Sequence, residues 1–217
     1  FHNHDAAAGL IEMRATGSYA YDALVLKKPE VKPHAIGKIK VMEAIIAFGC
    51  EGRILDLPQT FLLQQGTFEH DSSIHWNLLN QEKDSEQTTK YKTAINSLIQ
   101  DEPSFWPENT LYREYVNVDN QNKILVIKRE DKTTPEKKSW YCVINMSANE
   151  YFKYRVGVSA AGEYSIGFDS TKDTPYTNKN SLGTLMSQPS SHFEMFSKEV
   201  VLEVLGPYQV LCFWSKE

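Results

Sequence analysis

The chain has 217 residues, 41% of them hydrophobic and 24% charged, with a formal net charge of −5. That length suits one large domain or two small ones, and the composition is that of an ordinary folded protein rather than a disordered or membrane-embedded one. The negative balance creates no field that would gather a phosphate backbone, so no nucleic-acid partner is expected.

The first stretch, FHNHDAAAG, places an apolar residue ahead of His4 and Asp5 and follows them with small residues and a glycine. A short buried strand delivers a carboxylate to a pocket rim in this way, and the carboxyl ends of parallel strands are where α/β barrels carry catalytic groups. Taken alone, the dipeptide is better served by Asp5 capping the next segment and His4 lying half-buried. Ile36, Ile39, Val41, Met42, Ala44, Ile45, Ile46 and Phe48 then predict a buried helix that stops at Gly49. After the turn GCEGR comes ILDLPQTFL, a short apolar run in which Pro58 allows a strand end or an irregular segment. It is followed by HDSSIHWNLL, His70 to Leu79. Tyr91, Ala94, Ile95, Leu98 and Ile99, three and four apart, predict a second helix ending before Pro103. Residues 1–105 thus read strand, helix, strand, helix, the order of parallel α/β units.

From about Leu111 the pattern changes to short β-type runs: KILVIKRE, SWYCVINMS, FKYRVGV, GEYSIGF, EVVLEVL and YQVLCFW. Their spacing, with no helix pattern between them, predicts an antiparallel β-sandwich over residues 106–217. The charge run from Lys128 to Lys138 is expected as a solvated hairpin tip. The polar stretch between Phe168 and His192 is expected as a long, mobile loop. Trp106 and Tyr112 are expected to wedge between domains, with a surface binding groove as the alternative.

Cys50, Cys142 and Cys212 are an odd set without metal or redox spacing, which fits a reducing, cytoplasmic compartment. Cys142 and Cys212 lie in apolar runs and read as small buried hydrophobes, a disulfide between them remaining open. Asn145-Met146-Ser147 matches a glycosylation acceptor but falls inside a predicted strand. No apolar run approaches the roughly 18 residues of a spanning helix, so no membrane partner is expected. No His, Cys and carboxylate grouping has metal-ligand spacing and no glycine-rich phosphate loop occurs, so neither metal nor other cofactor is expected.

The motifs carry a resemblance. HDSSIHWNLL is similar to the loop after the last barrel strand of 1,4-alpha-glucan (glycogen) branching enzymes of the alpha-amylase superfamily, which reads much like H-D-x-S-L-D-W-x-L-L. NMSANEYFKYRVGVSAAGEYSIGFDS resembles that family's carboxyl-terminal β domain, and LEVLGPYQVLCFW its closing strand. The resemblance implies that residues 1–105 are the last strands and helices of a (β/α)8 TIM barrel, with FHNHD as its seventh strand, and that residues 106–217 are the C-terminal β-sandwich. It also implies retaining transfer of an α-1,4-glucan segment to a 6-hydroxyl, with α-glucan chains as partners. Asp5 takes the place of the transition-state stabiliser, and His4 that of the imidazole bonding the same sugar. Trp76 stacks on a glucose ring or packs in a core. The nucleophilic Asp and the acid/base Glu of a retaining enzyme, roughly 5 Å apart, belong to earlier barrel strands, so an upstream segment or a cleaved fragment is expected to complete the barrel. Departures from the pattern are His75 in place of an Asp, Ala6 in place of an acidic residue, and Pro58-Gln59-Thr60-Phe61 in place of G-x-E-F. They leave open an α-glucan hydrolase or a catalytically degenerate glucan-binding relative.

Overall fold

The computed structural model describes residues 32–50, 83–106, 109, 113–133, 138–177, 181–193 and 195–216. The barrel strands expected at FHNHD and ILDLPQTFL lie outside the described residues, and all strands among the described residues belong to one antiparallel array. Both expected helices are present, α1 over Lys32–Gly49 and α2 over Lys83–Asp101. In α1 the amide of Cys50 donates to Ile46 O (3.2 Å) and closes the last turn. In α2 the buried side chains of Tyr91, Ala94, Ile95 and Leu98 repeat at the helical period. Pro103 has no N–H to continue the ladder, and Pro103–Phe105 tightens into a 3-10 turn instead.

The chain divides into two compact units. Of the described residues, 32–43 and 83–93 belong to the first. There the hydroxyl of Tyr91 donates to Lys40 O (2.7 Å), and Lys92 forms a buried ion pair with Glu43. A charge this deeply buried requires such a partner, since an isolated ammonium would lose its hydration with nothing in return.

The second unit takes the last turns of α1, the last turns of α2 and everything after α2. Its strands are β1 (Arg113–Asp119), β2 (Ile124–Asp131), β3 (Lys138–Asn145), β4 (Tyr151–Val158), β5 (Glu163–Asp169), β6 (Gly183–Pro189), β7 (Lys198–Leu205) and β8 (Val210–Lys216). They hydrogen-bond in the order β1-β2-β3-β8-β5-β6-β7-β4, every pair antiparallel. β6 joins two sheets: Gly183–Met186 pairs with β5, and Ser187–Pro189 with β7. The two outermost strands are linked by side chains, Asn117 Nδ2 donating to Tyr154 Oη (3.0 Å) and Tyr154 Oη to Asp119 Oδ2 (3.3 Å). Between the sheets lies a core of Ile124, Val126, Tyr141, Val143, Val156, Val158, Tyr164, Val200, Leu202, Leu205, Leu211 and Phe213. This is the expected β-sandwich.

Two expectations are corrected. The stretch between Phe168 and His192 is not wholly loop, because it contains β6 and because Tyr176 bridges to Phe168. GTLMSQP carries no β-branched aliphatic residue and ends in proline, so its strand character comes from two neighbours offering ladders rather than from propensity. The charge run is not a solvated tip throughout: Lys128, Arg129 and Asp131 are 5%, 1% and 3% exposed. β2 continues through them, and residues distant in sequence cover it. Lys128 pairs with Glu130, and Asp131 Oδ1 accepts from Asn109 Nδ2 (3.3 Å) and from the amide of Thr133 (2.9 Å).

Asn145 ends β3 fully buried, its amide donating to Asn149 O and Gly206 O (both 2.7 Å) and its carbonyl accepting from Ser147. It is a turn-former, and in the folded chain its nitrogen is committed to two carbonyls.

Candidate functional site

The residues expected to touch sugar, Asp5, His4 and Trp76, lie outside the described residues. So do Phe68, Glu69, Asp71, His75 and Tyr112. What the described residues show is a cluster of aromatic and charged side chains on the sheet face that turns away from β4 and β7.

On that face Arg129 faces Trp140 in register, and Trp140 faces Trp214. A second row pairs Ile127 with Cys142, Cys142 with Cys212, and Cys212 with Phe168. Rings from the helix ends and the 3-10 turn close over these rows. Phe105 lies 5.2 Å from Phe48 and 5.5 Å from Trp140, centroid to centroid, and Phe48 lies 6.2 Å from Phe168. Such tilted and edge-on contacts add to the area that aromatic rings bury. β5 shifts register between Ile166 and Phe168, and Gly167 sits at that bulge. A Cβ on Gly167 would stand 2.3 Å from Cη2 of Trp140, so glycine is what lets the indole lie against the strand.

The charged groups under this lid have hydrogen-bond partners. The guanidinium of Arg129 donates from Nε to Ser104 O (3.1 Å) and from Nη1 to Phe48 O (3.2 Å), and it lies 5.8 Å over the Phe105 ring. Burial pulls its pKa below the ordinary value, with the charge of Arg113 adding to that; it remains a cation in a protein at any physiological pH. Arg113, its register partner on β1, donates to Gly49 O. The carboxylate of Glu102 accepts two bonds from Lys138 Nζ (2.7 Å each) and one from Trp140 Nε1 (3.3 Å). Lys138 Nζ also stands 3.9 Å over the Trp214 ring. Trp106 is 41% exposed, its indole N–H donating to Ile99 O (2.9 Å), which fixes the ring's orientation.

Cys142 and Cys212, facing each other and fully buried, are both free thiols, as is the exposed Cys50. Burial raises the Cys212 pKa, and contact with Cys142 raises it further, so it stays a neutral thiol that packs as a small hydrophobe. Among the described residues no group of three His, Cys, Asp or Glu side chains is placed to hold a metal ion. Nor is any helix among them long and apolar enough to cross a membrane.

The sequence reading passed over Arg113, Arg129, Glu102 and Lys138. The only local signal was the alternation in KRED, which sends Lys128 and Glu130 to one face and Arg129 and Asp131 to the other; what covers each face is not local information.

Comparison with known proteins gives this fold its relatives. Residues 115–206, from β1 to the end of β7, match the family model of the alpha amylase C-terminal all-beta domain. A 1,4-alpha-glucan branching enzyme of Fusobacterium nucleatum is 26% identical over 123 residues, 56% of this chain and 20% of that protein. One from Pseudoalteromonas atlantica is 28% identical over 126 residues, 57% of this chain and 17% of that protein. One from a Synechococcus strain is 26% identical over 145 residues, 64% of this chain and 18% of that protein. The chain therefore spans about a fifth of the length of these relatives. The family-model match and the branching-enzyme similarities agree with the resemblance carried by the motifs: residues 115–206 are similar to the alpha amylase C-terminal all-beta domain, in a chain similar to part of the 1,4-alpha-glucan branching enzymes.

Proposed function

We propose that the chain is part of a 1,4-alpha-glucan branching enzyme, comprising the end of its (β/α)8 barrel over residues 1–105 and its C-terminal β-sandwich over residues 106–217. The observation that carries this reading is order: His4-Asp5 comes first, HDSSIHWNLL second, and the alpha amylase C-terminal domain at 115–206 third. In this reading a nucleophilic carboxylate in polypeptide beyond these 217 residues displaces the glucan at C1 and forms a glycosyl-enzyme. A second carboxyl group protonates the leaving oxygen, then activates the 6-hydroxyl of an acceptor chain. Asp5 bonds the hydroxyls of the distorted sugar most strongly as positive charge develops at C1, which lowers the barrier rather than the ground state. His4 holds the same sugar, and Trp76 offers the acceptor glucose a flat apolar face. The substrate and partner are α-glucan chains, and no metal or organic cofactor takes part. The unbonded pair Cys142 and Cys212 supports a reducing, cytoplasmic location.

In the full chain with its complete barrel, Asp5→Asn is expected to lower branching, read by loss of iodine colour, by at least about a hundredfold. Unchanged activity defeats the assignment of Asp5. A specific observation supports a second reading. Thr60 stands where the family has a Glu that braces the floor of the site, and Ala6 where it has an acidic residue. A degenerate glucan-binding relative would retain glycogen on an affinity gel and show no turnover.

A further inference from the structure

Cys142 and Cys212 face each other in register on β3 and β8, both fully buried and both free thiols. The kind of pair they form follows from the ladder. The amide of Asn145 donates to Gln209 O at 2.9 Å, one step beyond the register pair Ile144 and Val210, and the register runs without a slip from there to Lys138 and Lys216. Hydrogen-bonded and non-hydrogen-bonded pairs alternate along an antiparallel ladder. Asn145 bonds to Gln209, so Val143 and Leu211 form a hydrogen-bonded pair and Cys142 and Cys212 a non-hydrogen-bonded one. The other side of β8 agrees: Val210 O, two residues from Cys212, accepts from the amide of Ser170 at 2.9 Å, turned toward β5 and away from β3. In a non-hydrogen-bonded pair the Cα atoms stand about 4.5 Å apart and the side chains are at their closest. Disulfides span Cα separations of roughly 4.4 to 6.8 Å, so the two thiols already hold the spacing a cystine needs. Their neighbours are apolar, with Ile127 on β2, Phe168 on β5, and the facing Trp140 and Trp214 two residues along.

We propose that Cys142 and Cys212 are a dithiol–disulfide pair, oxidised by a low-molecular-weight disulfide to a cystine that ties β3 to β8. Opening of the strands admits the oxidant. One cysteine thiolate attacks a sulfur of the small disulfide, whose S–S bond breaks and whose first thiol leaves with the cysteine's proton. The second cysteine then attacks the protein sulfur of this mixed disulfide and releases the other small thiol. Two electrons pass from the cysteines to the small disulfide, which departs as two thiols carrying the two protons. The new bond closes a loop that contains β4 to β7, and it constrains the unfolded chain far more than the folded one. Folding and the bond therefore favour each other by the same factor. The pair is independent of the branching reading, and the exposed Cys50 takes no part in it.

The test holds the full chain in buffers of reduced and oxidised glutathione, with denaturant below the unfolding transition to speed opening, and traps thiols with iodoacetamide before peptide mapping. Two peptides joined through Cys142 and Cys212, together lighter by two hydrogens, are expected, with glutathione adding at Cys50. From the redox midpoint, the effective concentration of one thiol at the other is expected to lie at least about a hundredfold above the millimolar level of flexibly tethered groups. By linkage, the unfolding equilibrium constant of the oxidised chain is expected to fall about a hundredfold. Cys142→Ala and Cys212→Ala, in which this cystine cannot form, should gain no stability on oxidation. Free thiols at both positions after equilibration, glutathione on either of them, or a bond from either to Cys50 overturns the proposal. So does a midpoint no better than that of a flexible chain, or a stability gain that survives in the alanine variants.

Discussion

The sheet of β1, β2, β3, β8, β5 and β6 is covered on both faces, and the two covers differ in kind. Toward β4 and β7 the side chains are aliphatic residues, tyrosines and Phe213, and burial there needs only apolar area of about the right shape. Toward the helix ends lie Arg129, Trp140, Trp214 and the Glu102–Lys138 pair, and burial there requires a partner for every polar atom. The first face therefore tolerates repacking. The second ties particular atoms of α1, the 3-10 turn and the strands together, which is how a β domain comes to hold the end of a helix in one place.

Breaking the second face should have the largest effect. Trp140→Ala removes the ring that touches Phe105, Trp214 and Glu102, and is expected to cost about 3–5 kcal/mol in denaturant unfolding. A loss no greater than about 1 kcal/mol would mean that this face repacks as freely as the other. Next comes Gly167→Ala, whose new methyl meets rigid ring carbons of Trp140 at 2.3 and 2.8 Å. It is expected to cost about 1–3 kcal/mol by overpacking, and combining it with Trp140→Leu should recover part of that in the same melt.

A smaller, pH-dependent effect sharpens the contrast on the opposite sheet. Burial pushes the Glu199 carboxyl up, but hydrogen bonds from Ser190 and Gln188 outweigh it and hold its pKa below the ordinary 4.5. A depressed carboxylate binds fewer protons folded than unfolded, so its contribution is complete above the ordinary value and is lost as pH falls through the lower folded one. Unfolding free energy should decline as pH drops below 4.5, and Glu199→Gln should flatten that part of the profile. An unchanged slope in the variant would place the acid sensitivity elsewhere, for instance at Glu130, whose carboxyl is also held low by Lys128 and Lys132 against burial.

The same two faces explain what could be read in advance. Runs such as SWYCVINMS and YQVLCFW announce strands because β-branched and aromatic residues crowd them, and their lack of alternation follows from burial on both sides. β1 was not recognised: REYVNVD is polar and half exposed, and it is a strand because β2 lies beside it. The burial of Arg129 was illegible for a related reason, since its partner Phe48 O lies 81 residues away. Asp5, His4 and Trp76 are candidates through a resemblance to a family and lie outside the described residues, whereas the hydrogen bonds from Arg113 and Arg129 to the end of α1 are a product of packing and have no motif.

The proposal that this chain is part of an enzyme making α-1,6 branches is tested most directly by products. Linear amylose incubated with the full chain should gain the anomeric proton signal of α-1,6 linkages while the number of reducing ends stays constant, because retaining transfer breaks one glycosidic bond and makes another. A rise in reducing ends with no α-1,6 signal would contradict the proposal and identify a hydrolase, and no change in either would contradict it in favour of a chain that does not transform glucan.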